Sequence, residues 1–177
     1  MTGPAVSRAS LFRRYGDKYA ARFGAAEAMV VRRVISEIVG LIDREPARTD
    51  PDRAILDRLF PNAYPDDPHD GAEFRRLTYG DLARTKREQA NVVLRTLPAD
   101  GGVVALDAEN AEAWLRALTD VRLALGLRLN ITEDMDLQSA IDEAVAADPT
   151  SARVAQLCVY AYLTYLQESL VDSLMRQ

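Results

Sequence analysis

Residues 111–129 read AEAWLRALTDVRLALGLRL, and the fold turns on how this stretch is understood. Leu115, Leu118, Leu125 and Leu129 recur on one stripe at helical spacing. Trp114, Ala117, Val121 and Ala124 fill the neighbouring stripe, and Leu123 and Leu127 add a third line. A helix apolar on nearly every side has little surface to offer water, so it belongs in the middle of a helical domain with the other helices packed around it. Arg122 interrupts the Leu115/Leu118/Leu125/Leu129 stripe. A guanidinium there needs a carboxylate or several carbonyls, which predicts a buried or half-buried structural ion pair. Asp120 and Arg128 belong to the same expected network, with Glu73, Asp81 or Glu168 as outside partners. Such a pair orients helices and performs no chemistry.

Outward from this helix, Asp107 is placed to cap its start, and Val103 to Leu106 is either a short strand or an extended loop. Leu11 to Phe23 alternates around Gly16-Asp17, the pattern of a hairpin with a two-residue turn. From about Ala25 the period changes. Val31, Val34, Ile35, Ile38, Leu41 and Ile42 make the core stripe of a helix that ends near Pro46. Asp50-Pro51 restarts a short helix over Asp52 to Leu59. The segment PNAYPDDPHDG (61–71) reads as the longest irregular stretch, followed by one or two helical turns in AEFRRL. Thr78-Tyr79-Gly80-Asp81 resembles a capping box for a separate helix to about Leu97. Thr132 is placed to cap a helix with Leu137, Ile141, Ala144 and Val145 inward. Asp148-Pro149 opens the last helix, Thr150 to about Met175, striped by Val159, Leu163, Leu166, Leu170 and Leu174. The expectation is a mainly α protein: about six helices with a small β-hairpin or three-stranded element, the central and last helices antiparallel or crossing at the core. Residues 1–10 are expected to be a flexible start and 11–177 a single domain.

With 177 residues, a core needs neither disulfide nor metal. The balance of 22 basic and 27 acidic residues, net −5, argues against a protein that must neutralise many phosphates. Only Lys18 and Lys86 are lysines. The arginine that makes up the rest suits planar contacts inside the protein or with a protein partner. No window approaches the roughly 18 apolar residues of a membrane span, and MTGPAVSRAS lacks the charged and apolar regions of a secretory signal. A cytoplasmic protein is expected, without direct sequence-specific DNA binding and without membrane contact.

Asp66-Asp67-Pro68-His69-Asp70 sets three carboxylates beside the only histidine. Five consecutive residues divided by a proline seldom converge on one ion, and no second ligand motif accompanies them. His69 has no serine or cysteine partner by motif, and no glycine-rich phosphate loop occurs. No catalytic residue, cofactor or metal is therefore assigned. A metal-dependent or small-molecule enzyme built on the acidic loop around His69 stands as the alternative to a protein-binding regulator. For the regulator, the candidate partner-binding residues are Tyr64, Asp66, Asp67, Arg75 and Arg76. With Arg84, Lys86 and Arg87, the last two make the densest basic region, which suits an acidic protein surface better than DNA. Tyr160, Tyr162 and Tyr165 exceed what one core face takes, so a homodimer interface there is a further expectation. Cys158 lies in an apolar helix and reads as a small core residue; it is the one candidate thiol.

Together, RLFPNAYPDD (58–67), EFRRLT (73–78), AWLRALTDVRLALGLRL (113–129) and YLTYLQESLV (162–171) resemble an actinobacterial family known as a domain of unknown function and encoded near the Clp adaptor ClpS. The resemblance implies a cytoplasmic protein. In at least one branch it implies an oxidation-responsive regulator that works through a sigma factor, with a closely spaced cysteine pair as sensor. A sigma factor or the Clp machinery are thus the implied partners. This chain departs from that branch where sensing occurs, because Val154 and Tyr162 hold the places one turn either side of Cys158.

Overall fold

The computed structural model describes residues 11–44, 50–61 and 68–175, with the side chains of 68–77 outside that description. The elements in order are β1 (Arg13–Tyr15), β2 (Lys18–Phe23), α1 (Ala25–Arg44), α2 (Arg53–Leu59), α3 (Pro68–Thr96), β3 (Gly102–Leu106), α4 (Ala108–Leu129), α5 (Leu137–Ala147) and α6 (Ala152–Met175). The protein is mainly helical, and its three strands form one antiparallel sheet in the order β1-β2-β3.

The hairpin follows from its turn. Tyr15 pairs with Lys18, so Gly16 and Asp17 alone cross between the strands, and Gly16 takes φ +63°, which costs glycine nothing. β3 then pairs along β2 from Tyr19–Leu106 to Phe23–Gly102. Tyr19, Ala21, Phe23, Val104 and Leu106 are buried on the inner face. Phe12 and Phe23 pack against Trp114 of α4 with ring centroids 5.4 and 5.8 Å away. The indole is fully buried yet satisfied, because Nε1 donates to Thr96 Oγ1 at 2.8 Å. The turn into β3 closes on the β2–α1 junction. Gly101 has φ +80°, and a methyl there would lie 2.6 Å from the Phe23 carbonyl oxygen.

α4 is the centre, touching α1, α2, α3, α6 and the sheet. Asp107 caps it by accepting from Asn110 N, and Asn130 ends it in the left-handed conformation. α4 and α6 run antiparallel. Thr119 and Arg122 meet Gln167, whereas a methyl on Gly126 would stand 3.4 Å from the ring of Tyr160, two turns earlier on α6. The buried side of α4 is carried by Ala111, Trp114, Ala117, Leu118, Val121 and Ala124; Leu115 and Leu125 are half-buried and Leu127 is exposed. Within the stripe that contains Arg122, Leu118 and Leu129 are buried too, while Arg122 lies half-buried at the margin with Leu115 and Leu125.

Three boundaries differ from the sequence reading. α3 runs unbroken through Thr78–Asp81, because interior amides already bond back along the helix. Asp81 spends its carboxylate on Arg84, 3.0 Å away, and Pro68 holds the first helical position. α5 is capped by Asp136, whose carboxylate accepts from Gln138 N and Ser139 Oγ, while Thr132 belongs to the preceding turn. α5 buries no residue and leans mainly on α6, with Val145 exposed instead of inward.

Candidate functional site

Tyr64, Asp66 and Asp67 lie outside the described residues, as do the side chains of Arg75, Arg76 and His69. Phe60, which ends α2, stacks on Tyr79 of α3 with centroids 4.6 Å apart, and the Lys86 ammonium stands 5.8 Å from the Phe60 ring. Lys86 Nζ also donates to Asp120 Oδ1 at 2.7 Å. Asp120 is 6 % exposed, the one charged residue buried among those described. Burial pushes its carboxyl above the ordinary value, and the hydrogen bond and charge of Lys86 pull it back. A cleft of about 420 Å³ opens beside the pair, lined by Leu82, Thr85, Gln89, Arg116 and Thr119. One carboxylate with one ammonium holds α3 to α4; it offers neither a second carboxylate nor an activated nucleophile. Among the described residues no three of His, Cys, Asp or Glu stand close enough to hold a metal ion.

Arg122 does not have the expected carboxylate. Nη1 donates to Gln167 Oε1 at 2.7 Å, and the guanidinium lies over the Tyr160 ring at 5.5 Å. Gln167 in turn donates from Nε2 to Thr119 Oγ1 at 2.9 Å, so the amide bridges two positions of α4. Nε of Arg122 is buried without a partner. An amide and a ring suffice because Arg122 is only half-buried at the margin of α4 and keeps part of its hydration.

Asp120, Arg122 and Arg128 thus enter three separate arrangements. Arg128 reaches Asp52 Oδ1 at 3.0 Å and Glu37 Oε2 at 3.6 Å, and Arg44 completes the chain on Asp52 at 2.8 Å. These links tie α4 to α1 and the start of α2. Of the proposed outside partners, Asp81 binds Arg84 within its own helix. The three tyrosines also separate: Tyr160 supports Arg122, Tyr162 packs half-buried against the core, and Tyr165 alone is open, 52 % exposed. Cys158 is half-buried on α6, not enclosed as a core residue would be.

The outer face of the sheet escaped the sequence reading. β2 alternates Lys18, Ala20, Arg22 outward with Tyr19, Ala21, Phe23 inward, and register sets Arg13 and Tyr15 of β1 and Val103 and Ala105 of β3 on the same outer side. Tyr15 is 63 % and Val103 53 % exposed. The alternation in KYAARF was the available signal.

The described residues define a mainly helical protein of six helices with a small three-stranded antiparallel sheet, rich in helix-joining polar contacts. The chain belongs to DUF2017, a domain of unknown function whose family profile matches residues 7–174. It is 34 % identical over 138 residues to a Mycobacterium leprae protein named "Putative oxidative stress regulator AosR", an alignment covering 71 % of this chain and 60 % of that one. It is 28 % identical over 192 aligned positions to the "Oxidative stress regulator AosR" of Mycobacterium tuberculosis strain H37Rv, covering 92 % of this chain and 84 % of the relative. No solved structure matches. Among the described residues no helix is long and apolar enough to cross a membrane.

Proposed function

We propose that this chain is a non-enzymatic cytoplasmic regulator of the response to oxidative stress that acts by contact with another protein, with a sigma factor or a component of the Clp machinery as the partner classes. The observation that carries the reading is the kinship with proteins named oxidative stress regulators. Charge supports contact with protein over contact with DNA. The chain is net −5, and the exposed arginines of α4, Arg116 and Arg128, are each already held by a carboxylate, which weakens any cationic face for a groove there. A single cysteine flanked at turn spacing by Val154 and Tyr162 makes no internal disulfide, so the dithiol switch does not carry over to this chain. Tyr165 is the tyrosine left for self-association, and sedimentation at high concentration measures whether a dimer forms.

The test is a DNA titration of the purified protein alone at about 150 mM salt, where binding no tighter than the non-specific range of about 10⁻⁴ to 10⁻⁶ M is expected. Tight, sequence-specific binding by the isolated chain would overturn the contact mechanism.

A further inference from the structure

We propose that the outer face of the three-stranded sheet is the docking surface for an acidic segment of a partner protein, one that carries an apolar side chain or two between its carboxylates. The face bears three cations, Arg13, Lys18 and Arg22, all exposed, and none has a carboxylate within ion-pair distance among the described residues. Arg33, Arg44, Arg53, Arg84, Arg87, Arg116 and Arg128 each hold an Asp or Glu. Arg32, Arg95 and Arg122 are held instead by carbonyl or amide oxygens, whereas these three cations stand together on one face with no carboxylate among the described residues.

Between the cations the surface is apolar and recessed. Ala20 pairs with Ala105 at the middle of the sheet, and a shallow groove of about 400 Å³ is lined by Leu11, Tyr15, Ala20 and Val103 with Arg13 and Arg22. Two small side chains flanked by an exposed tyrosine and an exposed valine leave room for an incoming apolar side chain, and the arginine forks meet carboxylates bidentately. Residues 1–10, which lead into this sheet, contain Arg8 and no carboxylate, so they supply no neutralising charge. A single-stranded nucleic acid is the other polyanion such a face suggests. One aromatic ring gives it one stacking position where sheet platforms for RNA use two or three, and the net charge of −5 opposes it at long range. The acidic polypeptide is the occupant the face fits.

This deepens the protein-contact reading and rests on it. The experiment is a titration of the full chain, ¹⁵N-labelled, with a synthetic peptide of alternating Glu and Val, followed by amide shifts and by fluorescence anisotropy. Shift changes are expected along residues 11–22 and 102–106. The Arg13→Glu/Arg22→Glu variant is expected to weaken the peptide by roughly tenfold or more, and an Arg33→Glu/Arg84→Glu variant of equal net charge by far less. Equal weakening by both variants, shifts confined to the helices, no binding by the wild type, or tighter binding of a thymidine oligomer than of the peptide would each overturn it. Should the first variant fail to fold, the wild-type shift map alone decides. Loss of the peptide site while Arg13→Glu/Arg22→Glu still captures its partner from lysate would refute this surface and leave the protein-contact reading standing.

Discussion

Replacing Lys86 by methionine keeps the length and bulk of the side chain and removes only the charge that answers Asp120. Asp120 is 6 % exposed, and its contact with Lys86 Nζ at 2.7 Å is its one hydrogen bond to a side chain among the described residues. Stranding a buried carboxylate in this way costs about 3–5 kcal/mol. Against the roughly 5–15 kcal/mol that holds a domain folded, that is about a fifth of the total or more. The carboxylate escapes by taking a proton, so the deficit of Lys86→Met relative to wild type shrinks as the pH is lowered. Lys86→Met/Asp120→Leu removes both charges and recovers most of the loss, because no charge remains without its partner. Urea unfolding followed by the fluorescence of Trp114 is the assay, since the chain has one tryptophan and it is fully buried. A cost under about 0.5 kcal/mol for Lys86→Met would place the pair among ordinary surface ion pairs and refute its role in joining α3 to α4.

Four further outcomes are expected. The Asp120 carboxyl is raised by burial above 3.8, so between that value and its folded pKa the native state binds the extra proton. The stability of wild type relative to Asp120→Asn accordingly falls as the pH rises through that window, measured by chemical unfolding across pH. Asp136 and Asp148 have the opposite sign: the Ser139 and Thr150 hydroxyls hold them below 3.8, so their contribution is present above that pH and is lost as the pH falls through the lowered values. Gln167→Ala removes a hydrogen bond to a charged group and costs about 1.5–3 kcal/mol in the same urea assay, whereas a negligible cost would mean Arg122 is held by the Tyr160 ring alone. Gly101→Val combines a positive φ with a Cβ driven against the Phe23 carbonyl; a loss of about 2 kcal/mol or more is expected by thermal unfolding, and wild-type stability would mean the turn relaxes freely.

How much was legible in advance depended on whether a residue's environment is set locally. The hairpin was readable because Gly16-Asp17 sits between alternating residues, and a turn of two residues dictates its own register. α4 was readable as a helix from its spacing, and so was its central place. Which side faces inward was not. Several stripes of α4 are apolar, and only the packing of Trp114 against Phe12 and Phe23 selects among them. Arg122 lies half-buried at the margin and is answered by the Gln167 amide in place of a carboxylate, while Asp120 is the member of the expected set that is buried and ion-paired. The partner of Asp120 lies 34 positions away on another helix, a distance no local pattern encodes. α3 was divided in two because Thr78–Asp81 has the composition of a cap, and composition does not reveal that the amides there are already bonded. The acidic loop and Arg75-Arg76 are legible as charge because their residues are contiguous in the sequence. The sheet face was overlooked because its cations are spread over two strands and meet only through the register.

The central claim, that the chain works by holding another protein, is tested most directly by affinity capture of the intact protein from a native lysate, with identification and stoichiometry of what co-purifies. One protein of the transcription or proteolysis machinery, near equimolar and released by raised salt, is the predicted result. A preparation that brings down no protein and instead carries a stoichiometric metal ion or small molecule would contradict it.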